Sequence, residues 1–590
     1  MCKAEVRFPL AASSAVVAGL RLTIASAALT VLPFAPGAMA QQSRAEAARQ
    51  ISPTAAPALK TPAVRLIDPT RVIVTLKPGA SHESLVTEMN RRKESAGGAL
   101  DQATAAVAAM RRQSGQSFVL PLTAGQREAN IAVRPVAVAA TGGDFSSALD
   151  ARASQMVEAL RRMPEVAAVE PSVMWFPTQA NPADAMNALI EGSTAPRGGR
   201  VIADTPDSGS IDAIVGAPPA RNPVPALAVT PQALPDDPLL PLQWALKTNA
   251  SAVTNDALPG GSGFVAHAGL SGSANQAAPV VAIIDTGLVK SHQDLATGEV
   301  LPGYDFITLP FVANDGDGRD ADASDPGDGP AANDCGEGTP ARASTFHGSH
   351  VAGIAGAVAT GNSVGIAAPG VVKILPVRVL GKCGGFDSDI TDAVRWAAGL
   401  PVDGIPLNPN PAKILNMSLG GPGPCSLAFQ AAVNEVLAKG AVVIVAAGND
   451  GVDATTQTPA NCSGVITVAA SDARGFIAPY SNFGPRVDIL APGGDNSRDD
   501  DGNGRPDGIL SMVDGGYEFK EGTSMATPLV SAAAAIVAAE RPDVTADEVK
   551  SILSAAALPR DASQCPKGCG SGLLQFTAPA QSAATTAVRR

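Results

Sequence analysis

Val281-Ala-Ile-Ile-Asp285-Thr-Gly287 is a short β-branched run that ends on a carboxylate and a turn. It is apolar at successive positions, which fits a strand buried on both faces, as in a parallel sheet. Similar runs recur at 372–379, 414–417, 441–445 and 465–469. Helical patterns at 350–359, 388–398, 426–438 and 526–539 separate most of them. This alternation predicts an α/β domain, a mostly parallel sheet covered by helices on both faces, over residues 232–578. Functional groups gather at the carboxyl ends of strands in such sheets, which is where Asp285 falls.

Upstream, the pattern is different. Residues 71–77 and 166–171 read as strands, and 130–137 as a further one. Residues 82–93, 100–113 and 147–163 read as helices. Together they predict a small α+β domain over 70–176. A Pro-, Ala- and Gly-rich linker over 177–231 follows, and order resumes near Leu234-Pro-Asp-Asp-Pro238, with Trp244 as an anchor. Residues 41–69 and the tail 579–590 are expected to be disordered.

Residues 1–40 have the form of a signal peptide. Lys3 and Arg7 give a positive start, residues 22–34 are apolar, and Ala38-Met39-Ala40 precedes Gln41 as a small-x-small cut site. A membrane anchor is the alternative, although the apolar stretch is short for a span of about 20 residues. The expectation is a secreted protein, with the periplasm as the alternative compartment, and no membrane contact in the mature form.

The 590-residue chain is 45% hydrophobic and 17% charged, a globular composition. Its formal net charge of −12 excludes a nucleic-acid partner. Of seven cysteines, Cys2 leaves with the signal. The remaining six suggest disulfides in an exported chain. About 15 pairings are possible, and sequence proximity selects Cys335–Cys383, Cys425–Cys462 and Cys565–Cys569. Zinc is the weaker reading, because no Cys-x-x-Cys is present.

Three segments carry chemistry. Asp285 ends the first strand, and a turn Asp is its ordinary reading. His347-Gly-Ser-His350-Val-Ala-Gly353 places two of the five histidines at a helix start, where a core His or a metal pair would also fit. The zinc-protease pattern His-Glu-x-x-His is absent. Gly522-Thr-Ser524-Met-Ala-Thr-Pro528 puts a serine at the start of an Ala-rich helix, where an N-cap is the ordinary reading. That helix end also offers backbone N–H groups to a developing oxyanion.

Taken together, in the order Asp, His, Ser, these segments resemble the subtilase family over roughly 235–578. The resemblance implies a subtilisin-like fold and a serine endopeptidase with Asp285, His347 and Ser524 as its triad. His347 would take the Ser524 proton and pass it to the leaving amine, while Asp285 holds the imidazole. Asn416-Met-Ser418-Leu419-Gly420-Gly421 is similar to the strand that pairs with a peptide substrate. Ala446-Ala447-Gly448-Asn449-Asp450 is similar to the segment carrying the oxyanion donor, here Asn449. Small walls at Ser418–Gly421 and Ala446–Gly448 suggest apolar or broad choice beside the scissile bond, with Gln457 near the pocket floor. The expected partners are protein or peptide substrates, and the expected state is a monomer.

Two acid-rich loops fit Ca²⁺, which takes about 6–8 oxygen ligands. The first offers Asp315, Asp317, Asp320 and Asp328. The second offers Asp499, Asp501, Asn503 and Asp507, but Leu510 stands where an EF-hand has its last acid. The expected role is structural, with no catalytic metal; two solvated loops are the alternative. Residues 70–176 resemble the inhibitor-type propeptide of the family, most closely over 157–171. That implies a folding aid and intramolecular inhibitor, cut away by the chain itself, with the cut expected around 220–235. An esterase or amidase, an inactive binding protein on the same fold and a calcium-binding structural protein are the competing readings.

Overall fold

Strand β6 (Val280–Asp285) is an interior strand of a seven-stranded parallel sheet. Its order is β15-β14-β12-β10-β6-β8-β7, formed by Ile489–Pro492, Ile466–Ser471, Val442–Ala446, Ile414–Met417, β6, Lys373–Arg378 and Tyr304–Asp305. Side chains alternate between its two faces. Ala282, Ile284, Leu415 and Met417 join one core, and Val281, Ile283, Ile414 and Ile444 join the other. Both faces are therefore dry, which is why the runs read as continuously apolar. Each fully buried Val, Ile or Leu contributes about 1.5–3 kcal/mol.

Helices α4 (Asp387–Ala397) and α5 (Leu427–Ala438) cover the first face through Ile390, Val394, Phe429 and Val433. Helices α3 (His347–Ala355), α6 (Thr523–Glu540) and α7 (Ala546–Ala556) cover the second. Helix α6 is long and apolar enough to cross a membrane, but it is the core helix of this layer. An antiparallel hairpin, β16 (Ile509–Val513) and β17 (Gly516–Lys520), leads into it. Strand order reverses between β6 and β10, the switch point at which open α/β sheets form their clefts.

The N-terminal lobe is built on β1 (Val64–Leu76), which pairs antiparallel with β3 (Ser117–Pro121), β4 (Val136–Ala139) and β5 (Val166–Pro177). Helices α1 (His82–Ala96) and α2 (Ala151–Arg161) back the sheet with Leu85, Met89, Met156 and Leu160. Asp150 caps α2 by accepting the Ala153 N–H at 2.7 Å.

The computed structural model describes most of 64–178, then 237–247, 259–264 and most of 278–576, all within the compact unit Pro62–Arg590. The signal, most of the expected 41–69 segment, the linker beyond Thr178 and the tail fall outside the described residues. Three expectations need correction. Order begins by Val64, inside the segment expected to be disordered to 69. Arg111–Ser114, expected as the end of a helix, is strand β2, paired with β3. Its partners are tertiary: the Gln113 side chain donates to the Ser388 carbonyl at 2.7 Å, and Arg111 pairs with Asp392. Strand β5 runs past the expected stop at 171 to Pro177. The three expected disulfides close as paired above.

Candidate active site

The site is assembled from three termini. Asp285 ends β6, His347 opens α3 and Ser524 sits in the first turn of α6. All three side chains are fully buried. Helices α3 and α6 pack against each other, and glycine lets α3 approach β6. A Cβ on Gly348 would lie 2.3 Å from the Gly287 carbonyl oxygen, and Gly287 itself turns at φ +104°. The Gly348 N–H donates to the Thr286 hydroxyl at 2.9 Å, fixing the start of the helix.

His347 Nδ1 lies 2.7 Å from Asp285 Oδ1, which also accepts the Thr286 N–H at 2.8 Å. His347 Nε2 is buried and has no hydrogen-bond partner. The second histidine of the motif serves structure instead. His350 Nε2 contacts the Glu518 carbonyl at 2.9 Å, and burial holds its pKa well below the ordinary imidazole value.

The cleft is filled by the chain's own N-terminal lobe. Beyond Val173, β5 leaves the lobe and runs between two segments of the main domain. It pairs antiparallel with β9 (Gly385–Phe386) through Met174 and Trp175, and with β11 (Leu419–Pro422) through Phe176 and Pro177. The Thr178 N–H donates to the Ser418 carbonyl at 3.1 Å. This is addition of a strand to a sheet edge; Gly420 is required on its other side, where a Cβ would lie 2.7 Å from the Thr458 carbonyl oxygen.

The Thr178 carbonyl oxygen then meets two donors, the side-chain amide of Asn449 and the Ser524 N–H at 3.2 Å. Asn449 Oδ1 accepts the Thr523 N–H and hydroxyl, each at 2.9 Å, which turns its NH₂ toward Thr178. Ser524 Oγ lies 2.7 Å from the Thr178 hydroxyl and 3.0 Å from the Ser418 carbonyl, rather than on His347. The pocket beside Thr178 is lined by Gly420, Ala446, Ala447, Gly448, Gln457 and Thr458.

The structure thus gathers Asp285 with His347, and Ser524 with Asn449, Ser418–Gly421 and Ala446–Gly448. It does not gather the acids of the first loop. Asp315 pairs with Arg378, Asp328 accepts from Thr345, Asp320 accepts the Asp322 N–H, and Asp317 is exposed. Among the described residues, three acids converge only at Asp499, Asp501 and Asp507. Sequence reasoning also missed Thr178, Thr523 and β9. The apolar run Val173-Met-Trp-Phe176 was the available signal for the strand that reaches the cleft. The expected cut around 220–235 lies outside the described residues, whereas the carbonyl held between Asn449 and Ser524 belongs to Thr178.

A buried Asp–His pair, and a helix-borne serine beside a carbonyl oxygen that meets two donors, are the parts an acyl-transfer site uses. Comparison with known proteins agrees. Residues 276–572 match the model of the subtilase family, and the chain belongs to that family. It is 46% identical over 311 residues to an extracellular protease of Xanthomonas campestris, covering 51% of this chain and 50% of that protein. It is 41% identical over 366 residues to an extracellular basic protease of Dichelobacter nodosus, covering 59% and 56%. The chain spans about half the length of these relatives. A solved protease of Pseudoalteromonas arctica shares 41% identity at a TM-score of 0.52, covering 58% of this chain and 97% of that one.

Proposed function

We propose that this chain is a secreted serine endopeptidase, made as a precursor that cuts itself between Thr178 and Gln179. The observation that carries the reading is the Thr178 carbonyl oxygen between the Asn449 amide and the Ser524 N–H. That is where the carbonyl of a scissile or newly cut bond would stand. His347, oriented by Asp285, takes the proton as Ser524 Oγ attacks the carbonyl carbon. The oxyanion develops against the two donors. His347 then returns the proton to the leaving Gln179 nitrogen, and water releases the acyl-enzyme. The buried, unpartnered Nε2 of His347 is the atom this relay requires. The lobe 64–178 acts as propeptide and inhibitor, since its last residues occupy the strand position a substrate would take. The relatives named as extracellular proteases, and the signal-like start, support export.

Pairing between backbones favours peptides over small esters. With a self-made first cut at Thr178, any cut around 220–235 is a second event. The test is expression of the full chain with and without Ser524→Ala. The wild type should release a fragment whose first residue is Gln179, and Ser524→Ala should stay uncut. An Ser524→Ala chain that matures to the same size without added protease overturns self-processing. Failure of Ser524 to react with a phosphonylating serine reagent, after the lobe is removed, overturns the peptidase itself.

A further inference from the structure

In the proposed cut, Ser524 Oγ gives its proton to His347, yet the structure commits that hydroxyl elsewhere. Ser524 Oγ donates to the Ser418 carbonyl at 3.0 Å and lies 2.7 Å from the Thr178 hydroxyl. His347 Nε2, the atom that has to receive the proton, is buried and has no hydrogen-bond partner. A hydroxyl has one proton to give. With that proton on Ser418, Ser524 Oγ meets Thr178 as an acceptor, and a lone pair needed for attack is occupied by the Thr178 O–H. Thr178 also owns the carbonyl held between Asn449 and the Ser524 N–H. One residue thus presents both the carbonyl to be attacked and a group that holds the attacker.

The contact is held from every side. Both side chains are buried, and buried hydroxyls pair with protein groups. The Thr178 backbone is pinned at both ends, since its N–H donates to the Ser418 carbonyl at 3.1 Å and its carbonyl meets two donors. The branch at Cβ leaves χ1 few wells to choose from. Ser418 is fixed in turn, because its own hydroxyl donates to the Ser524 carbonyl at 3.0 Å. Its carbonyl therefore stands where it accepts the Thr178 N–H and the Ser524 O–H together.

We propose that the Thr178 hydroxyl is a brake on self-cutting, and that a threonine on the acyl side of the scissile bond marks a peptide this enzyme cuts slowly. The inference rests on the cut between Thr178 and Gln179 proposed above. The contact exists only before reaction. As Ser524 Oγ attacks, its proton leaves the Ser418 carbonyl for His347 Nε2, and its lone pair leaves the Thr178 O–H for the carbonyl carbon. An interaction made in the ground state and lost in the transition state strengthens binding and slows the step. One neutral hydrogen bond of this kind corresponds to about 2- to 10-fold in rate. The brake keeps the lobe joined to the main domain for longer, and it acts through a side chain that leaves the site with the lobe.

The test compares the full-length wild type with Thr178→Val, which keeps the branch without the hydroxyl, and Thr178→Ser, which keeps the hydroxyl. Each is refolded by dilution from denaturant, and the appearance of the Gln179 end is timed. Folding is timed separately by circular dichroism in the same three chains carrying Ser524→Ala, and the cut is measured relative to it. Thr178→Val should cut about 2- to 10-fold faster than wild type, and Thr178→Ser should lie closer to wild type than to Thr178→Val. In the mature enzyme, a peptide anilide ending in Thr should show kcat and KM both lower than its Val counterpart, by about the same factor. Equal cutting by wild type and Thr178→Val, with the Gln179 end present, overturns the brake alone, as does a Thr anilide turned over as fast as the Val one. Absence of the Gln179 end from all three chains overturns the self-cut and the brake together.

Discussion

Thr523 donates both its backbone N–H and its hydroxyl to Asn449 Oδ1, so the amide of Asn449 can offer only its NH₂ to the Thr178 carbonyl. Donors fixed before the oxyanion forms need no reorganisation as it appears, and removing one typically costs about 10²–10³ in turnover. Asn449→Ala should therefore lower kcat by about that factor with KM little changed, measured on a peptide anilide after maturation. Thr523→Val keeps the N–H but loses the hydroxyl. One neutral hydrogen bond contributes about 0.5–1.5 kcal/mol, so kcat should fall only about 2- to 10-fold. Equal losses in the two variants would show that Thr523 does more than orient the amide. At this scale, Asp285, His347, Ser524 and Asn449 were legible because each stands in a motif of small residues. Thr523 sits inside one of those motifs, but nothing in the linear pattern reveals that its hydroxyl faces Asn449.

At the scale of elements, α4 is where the lobe meets the main domain. Ser172 donates its hydroxyl to Asp387 at 2.9 Å, and the Val173 N–H donates to the same oxygen at 3.0 Å. Two residues on, Asp389 pairs with Arg71 of the lobe at 3.1 Å and with Arg319 at 2.6 Å, while Asp392 pairs with Arg111 and with Arg319 at 2.7 Å. Burial under the lobe, reinforced by the charge of Glu170, pushes the Asp387 carboxyl up to about 7. The ordinary value is 3.8. Below that value the acid is protonated with or without the lobe, and the lobe binds best. Removing the lobe exposes the carboxyl and returns it toward the ordinary value, so as pH rises from there to about 7 the lobe-free main domain gives up its proton while the complex keeps it, and affinity falls by up to about tenfold per pH unit. Above about 7 both forms are ionised and the affinity levels off. The dissociation constant of the lobe supplied in trans, measured by calorimetry against the Ser524→Ala main domain, should thus rise across this window, and Asp387→Asn should flatten the rise. A pH-independent constant in the parent would refute the linkage. None of this interface could be read from the chain. The 100–113 segment looked helical because its local pattern is helical, whereas Arg111–Ser114 is held as a strand by its pairing with β3 and anchored on α4 through Arg111 and Gln113. Likewise the acids of 314–328 looked like one cation loop, but Arg378, Thr345 and Lys290 draw them apart.

At the scale of the whole molecule, the strand order forces slow folding. Strand β6 must find β8 on one side and β10 on the other, each after a long crossover, before either face of the sheet is covered. Loop closure of this kind is costly ahead of the contacts that reward it, and parallel sheets fold slowly for that reason. The lobe is a small antiparallel sheet built on β1, and it adds β5 to both β9 and β11. It therefore presents a formed edge against which α4 and the 419–422 strand can settle. The expected result is that the Ser524→Ala main domain, unfolded and diluted without the lobe, regains structure slowly, and that added lobe accelerates this in proportion to its concentration. Arg111→Ala in the lobe leaves Asp392 with one of its two arginines, so the same concentration should accelerate refolding less. Refolding that is equally fast with and without the lobe, followed by circular dichroism, would mean that the lobe only blocks the cleft and takes no part in building it.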